Sequence, residues 1–152
     1  MSETPKLRRA VAADVAPVRA LTRAAYAKWV PVIGREPMPM GADYERAVRE
    51  HRIDLLDVDG SLAALIETVA KADHLLIQNV AVSPELQGRG FGRQLLAHAE
   101  KLAASLGHGQ IRLYTNKLFA ANLVLYGRLG YRIDREEEFK GGIAVHMSKR
   151  LG

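Results

Sequence analysis

Hydrophobic and polar positions along the chain follow two periods. Short apolar runs bounded by Gly, Pro, Asn or Asp predict strands at "KLRRAV", "RIDLLDV", "SLAALIETV", "HLLIQNVAV", "QIRLYT", "YRIDRE" and "IAVHMSK". Helical spacing places Val15, Val18, Leu21 and Ala25 on one side of a segment that Asp14 can cap, running to about Trp29 with Pro17 tolerated in its first turn. Leu95, Leu96, Ala99, Leu102, Ala103 and Leu106 form a second stripe from Arg93 onward that ends at Gly107. Asn116 can cap a third helix continuing to about Leu129 and closed by Gly130. Between the first helix and a short one at Asp43 to Arg49, "VPVIGREPMPMG" carries three prolines and two glycines and reads as a loop. Asp59-Gly60 suits the positive backbone angles of a two-residue hairpin, and "HLLIQNVAV" adds a third strand, buried on most of its length. The order β, α, α, β, β, β, α, β, α, β, β predicts an α/β chain whose mixed sheet carries helices on both faces.

Composition narrows this picture in few places. At 152 residues, 48% hydrophobic and 26% charged, with no repeat or linker, residues 1–152 read as one domain with a real core. The absence of cysteine excludes a thiol nucleophile, a disulfide and a Cys-based zinc site, and the five histidines lack paired metal-ligand spacing, so no metal is expected. "MSETPKLRRAVAADV" lacks the order of a signal peptide and no apolar run reaches the length of a membrane span, which predicts a cytoplasmic location and no membrane partner. A net charge of +5 favours an anionic ligand. Nucleic acid is not the expected one, because Arg8, Arg9, Arg19, Arg23 and Lys28 are spread along the chain and Glu136 to Glu138 form an acidic run.

The candidate chemistry begins at "NVAVSPELQGRGFGRQLL", Asn79 to Leu96, where a strand runs through three glycines directly into a helix. The first amides of a helix lack partners within it, and glycines let an anion approach the main chain. Gly88, Gly90 and Gly92 open that approach, and Arg89 and Arg93 add charge. The dinucleotide pattern G-x-G-x-x-G fails because Arg93 stands at its third glycine, and a Walker A sequence is absent.

The pattern present is Q-x-x-G-x-G, formed by Gln87, Gly90 and Gly92 after "VAVSPELQ", together with "NLVLYGRLGY" from Asn122 to Tyr131. In these motifs and in element order the chain resembles the GCN5-related N-acetyltransferase (GNAT) family over nearly its full length. The resemblance implies a single-domain fold with a central, mixed, twisted sheet of about seven strands and about four flanking helices. It implies acetyl-CoA as cosubstrate and direct transfer to a primary amine of a small molecule or peptide. Val80, Ala81 and Val82 would pair with the pantetheine arm as an added strand. Gln87, Gly88, Arg89, Gly90, Phe91, Gly92 and Arg93 would hold the pyrophosphate. Asn122 would contact the pantetheine arm and Tyr126 would stand near the thioester sulfur, four residues on and so on the same helix face.

A tyrosine hydroxyl can protonate the departing thiolate, and an amide near Val80 can stabilise an oxyanion. The base departs from the family pattern. Some members carry a glutamate on the strand that here reads His74 to Val82, but this segment has Gln78 and Asn79 and no carboxylate after Asp73. That leaves Glu67 on the neighbouring strand, His74, His146 or a water relay, and it leaves a catalytically silent acyl-CoA sensor as the alternative. The acceptor wall implied by the resemblance is "YAKWVPVIGREPMPMGADY". Tyr26, Trp29, Met38, Met40 and Tyr44 supply its apolar and aromatic lining, with Gln78 and Asn79 beside them and Arg35, Glu36 and Asp43 as polar handles. Such a lining suits a small amine, an amino-acid-like substrate or a peptide end. Family members often form homodimers through their last strands, and "GGIAVHMSKRL" offers an edge for pairing.

Overall fold

In the computed structural model, which describes residues 5–152, all seven expected strands form; the first four residues of the N-terminal segment lie outside the described residues. They are β1 (Lys6–Arg9), β2 (Arg52–Val58), β3 (Ser61–Ala70), β4 (Leu75–Val82), β5 (Gln110–Asn116), β6 (Arg132–Phe139) and β7 (Gly142–Arg150). One seven-stranded sheet results, in the order β1-β2-β3-β4-β5-β7-β6, and β4 with β5 is its only parallel pair among the described residues. Asp59 and Gly60, at φ 52° and 80°, turn β2 into β3 as the dipeptide predicts.

The helices are α1 (Val15–Tyr26), α2 (Val30–Ile33), α3 (Tyr44–Glu50), α4 (Phe91–Ser105) and α5 (Ala120–Arg128). Val18, Leu21 and Ala25 of α1 meet Tyr44 and Ala47 of α3 against Ile53, Leu55 and Leu65 on one face of the sheet. On the other face Leu95, Leu96, Ala99 and Ala103 of α4 cover Leu56, Ile66, Ile77 and Ile111, and Leu123 and Tyr126 of α5 pack beside them. Leu95 is fully buried, a side chain whose removal from water contributes about 1.5–3 kcal/mol. Among the described residues no helix is long and apolar enough to cross a membrane.

Several local expectations are corrected. Asp14 does not cap α1, because its carboxylate accepts from the Arg8 guanidinium at 2.9 and 3.0 Å and from the Val11 amide at 2.8 Å. The first helix stops at Tyr26; a 3-10 turn (Ala27–Trp29) and the single turn α2 follow, so the proline-rich stretch is not all loop. Pro31 is compatible with that turn because it stands where an amide has no intrahelical partner. Asn116 ends β5 rather than capping α5, and its Oδ1 accepts from the Leu118 amide at 2.9 Å. Helix α4 begins at Phe91 rather than Arg93, since Gly90 at φ 87° already turns the chain. The "GGIAVHMSKRL" segment has no free edge: β7 is paired on both sides, by β5 and β6. The edge strand on that side of the sheet is the exposed, charge-rich β6.

Two irregularities of β4 position the site. Thr68 pairs with Ile77 and Glu67 with Asn79, which leaves Gln78 as an extra residue in β4. The bulge reverses the alternation. Leu75 and Ile77 face the α4 layer before it and Val80 and Val82 after it, whereas Asn79 and Ala81 turn to the α1 layer. In addition, β4 and β5 pair only from Leu75 to Ile77 and from Ile111 to Leu113, so beyond these residues the two strands have no partner across the gap.

Candidate active site

A cleft of about 530 Å³ opens where β4 and β5 part. The parting lets both helical layers contribute to one space: Tyr26, Tyr44, His51 and Glu67 from the α1 side, and Asn122 and Tyr126 from α5.

Ser83 donates its amide to the Ala63 carbonyl, so strand alternation directs the Ala81 main chain to β3 and those of Val80 and Val82 to the open edge. The Ala81 main-chain groups therefore face β3 and not the open edge that the sequence reading gave them. The Val80 carbonyl accepts from the Tyr26 hydroxyl at 3.3 Å, and the Val82 carbonyl from Gln87 Nε2 at 3.0 Å. Gln87 is further held by Lys28, whose Nζ donates to its Oε1 at 2.9 Å, so this side chain buttresses the turn instead of facing a ligand.

Beyond Gln87 the chain turns through Gly88 and Gly90 at φ 83° and 87°. A Cβ at either glycine would meet nothing within 4 Å, so the concave side is open. No hydrogen bond among the described residues takes the amides of Gly88, Gly90, Phe91, Gly92 or Arg93. The Phe91 ring is buried in the core, which anchors the turn, and a Cβ on Gly92 would come within 3.8 Å of Val82. Arg93 is exposed. Open amides at the start of a four-turn helix fit a phosphate-bearing ligand. The donor set therefore fits the pyrophosphate of a coenzyme A group laid along the open edge of β4.

On α5, Asn122 and Tyr126 line the cleft from one helix face. The Tyr126 ring meets Tyr131 edge-on at 5.9 Å, but its hydroxyl has no hydrogen-bond partner among the described residues. Desolvation pushes that hydroxyl up to about 12, so at neutral pH it carries its proton.

Glu67, for which strand alternation allowed either orientation, is buried at 4% exposure and lines the cleft. One carboxylate oxygen lies 2.6 Å from His51 Nδ1. The sequence reading missed His51; counting outward from Asp59-Gly60 brings it near Glu67 across the hairpin, and that was the available signal. His74 is bound to Asp73 at 2.7 Å and His146 to Glu137 at 3.1 Å, and neither lines the cleft.

The acceptor-wall residues divide into three groups. Met38 and Gln78 line the cleft with exposed surface, and Gln78 Nε2 donates to the Tyr114 hydroxyl at 3.2 Å. Asn79 and Tyr44 also line it but are spent internally. Asn79 Oδ1 accepts from Tyr26 at 2.9 Å, its Nδ2 donates to Thr22 and Tyr44, and the Tyr44 hydroxyl donates to the Pro39 carbonyl at 2.6 Å. Burial pushes the pKa of both the Tyr26 and Tyr44 hydroxyls up, that of Tyr44 to about 12, so these hydroxyls stay neutral struts. Trp29 is corrected: it stacks on Phe119 at 4.3 Å and lies behind the cleft wall. Met40 is buried outside the cleft, and Glu36 is bound to Arg23 at 2.7 Å.

Comparison with known proteins agrees with this arrangement. Residues 50–133 match the model of the acetyltransferase (GNAT) domain. An uncharacterized N-acetyltransferase of Bacillus subtilis, YvbK, is 40% identical over 86 residues, covering 49% of this chain and 56% of that protein. The ribosomal protein bS18-alanine N-acetyltransferase of Salmonella typhimurium is 34% identical over 76 residues, covering 50% of this chain and 51% of that one. The matched stretch thus spans about half the length of these curated relatives. In fold, the chain is similar to the PaiA N-acetyltransferase of Thermoplasma acidophilum solved with coenzyme A, at a TM-score of 0.84 and 17% identity over 97% of this chain and 99% of that one.

Proposed function

The chain belongs to the GNAT acetyltransferase family, and on that premise we propose that it moves the acetyl group of acetyl-CoA to a primary amine of a small molecule or peptide by direct attack in a ternary complex. The observation that carries this reading is the parting of β4 from β5 beside a glycine turn with open amides, with Tyr126 and Glu67 brought to the same cleft from opposite faces of the sheet. Bound acetyl-CoA supplies the thioester carbonyl. The amides of Gly88 to Arg93 hold its pyrophosphate, the outward main-chain groups of Val80 and Val82 line its pantetheine arm, and Asn122 contacts that arm from α5.

An alkylamine, with an ordinary pKa of about 10.4, must shed a proton before it attacks. Glu67, held by His51, takes that proton. The Val80 amide lies on the open edge, where it can stabilise an oxyanion. Tyr126, kept protonated by desolvation and with its hydroxyl bonded to no neighbour among the described residues, delivers its proton to the departing sulfur.

Calorimetric titration with acetyl-CoA, with NADH as control, tests the first half of this reading, and release of free thiol on adding amines tests the second. One-site binding that excludes NADH, followed by amine-dependent thiol release, is expected. Binding without release from any amine would mean a silent acyl-CoA sensor. No binding would mean that the glycines only pack a turn.

A further inference from the structure

The cleft wall holds a cation that no group among the described residues uses. Of the charged side chains lining the cleft, Asp43 accepts from the Arg46 amide at 3.2 Å, Arg46 is paired with Glu50, and Glu67 with His51. Arg35 alone has no hydrogen bond or ion pair among the described residues, since the neighbouring Glu36 is taken by Arg23. It follows Gly34, whose φ of 74° ends α2 and turns the chain toward the β6–β7 hairpin. There Arg35 Nη2 stands 3.7 Å, and Asn116 Nδ2 3.5 Å, from the point a side chain on Gly142 would occupy.

The Asn116 amide is oriented by chemistry. The Leu118 amide is a donor, so the atom receiving it must be Oδ1, and Nδ2 is left facing Gly142 without a partner among the described residues. Two unused donors, one of them a guanidinium, thus flank a place where glycine leaves room. A guanidinium fork beside an amide matches a carboxylate, and an unpaired charge in a cleft is a recognition group for its opposite. None of the residues from Gln87 to Arg93 lines this cleft, so the anion recognised here is not the pyrophosphate.

We propose that Arg35 and Asn116 form a carboxylate subsite and that the acceptor is a primary amine bearing a carboxylate, its amine toward Glu67 and its apolar body along Met38, Phe139 and Ile143. This rests on the acetyl-transfer reading above.

The test uses the full chain with acetyl-CoA and two matched pairs of acceptors, phenylalanine with phenethylamine and γ-aminobutyrate with propylamine, following free thiol. The carboxylated member of at least one pair is expected to have the higher kcat/KM by about tenfold to a hundredfold, the range of one charge-assisted contact. Arg35→Gln removes the charge on a partly exposed side chain without internal partners. It should raise KM for the carboxylated amine by that factor, leaving the uncharged amine and acetyl-CoA affinity unchanged. Asn116→Asp keeps the acceptor for Leu118 while placing a like charge at the subsite, and should erase the same preference. Equal rates within both pairs, or a preference that survives Arg35→Gln, would overturn the subsite while leaving acetyl transfer standing. No thiol release from any amine would overturn the transfer reading, and the subsite with it.

Discussion

Replacing Tyr126 by Phe isolates one proton. The hydroxyl has no hydrogen-bond partner among the described residues, and the edge-on contact with Tyr131 at 5.9 Å belongs to the ring, which Phe retains. Removing an unpartnered, partly buried hydroxyl should therefore change stability by no more than about 1 kcal/mol. If Tyr126 protonates the departing sulfur, its loss should lower kcat by about a hundredfold to ten-thousandfold, equivalent to about 2.7–5.4 kcal/mol in the barrier. The pH dependence has a fixed sign. Desolvation lifts the hydroxyl to about 12, so the proton-bearing form persists below that value and Tyr126 causes no fall in rate between about pH 6 and 9. Measurement of kcat by thiol release, acetyl-CoA affinity by calorimetry and Tm on the same preparation separates the possibilities. A kcat within twofold of wild type would refute the proton-donor role. A parallel collapse of acetyl-CoA affinity would instead make Tyr126 a binding group.

Three further outcomes follow from other parts of the molecule. Gly90→Glu forces a side chain to φ 87°, costing about 1–2 kcal/mol, and sets a carboxylate where the pyrophosphate would lie, so acetyl-CoA affinity should be lost while the fold survives; affinity within tenfold of wild type in the titration would remove the turn from the site. Thr68 buries a hydroxyl oxygen without a partner among the described residues, so Thr68→Val should be neutral or raise stability by up to about 1 kcal/mol in urea unfolding, and a loss larger than that would show that the hydroxyl is satisfied in solution. The Arg8 guanidinium holds the Asp14 carboxyl below the usual carboxylate range, a stabilisation present above the ordinary value of about 3.9 and lost as pH falls through the lower folded value. The stability gap between wild type and Arg8→Gln should therefore shrink on acidification from about pH 7 to pH 2, and a constant gap would assign the pair no role.

Where a local rule had no competitor, the chain was readable. Asp59-Gly60 takes positive φ at both positions, and the Leu95, Leu96, Ala99, Ala103 stripe is the buried face of α4. Local rules failed where another group offered a better partner. Asp14 is a good helix cap by type, but Arg8 and the Val11 amide claim both of its oxygens. Asn116 serves a turn four residues before the start of the helix it was expected to cap, and Trp29 found a stacking partner in Phe119 instead of an open cleft. Asn79 is the sharpest case. The bulge at Gln78 swings it into the α1 layer, where Tyr26, Thr22 and Tyr44 use its whole amide as a strut.

By itself the sequence determined the order of elements apart from the single turn α2, the strand-to-helix turn at Gly88 to Gly92 and the Asn122–Tyr126 pair, because each depends on residues within about one turn of helix or one hairpin of each other. Tertiary structure alone decided how far β4 and β5 pair before they part, and hence that Glu67 and Tyr126, on opposite faces of the sheet, share one cleft. It also decided that Arg35 and Asn116 meet over Gly142. These are contacts between segments brought together by packing, and no periodicity along the chain encodes them.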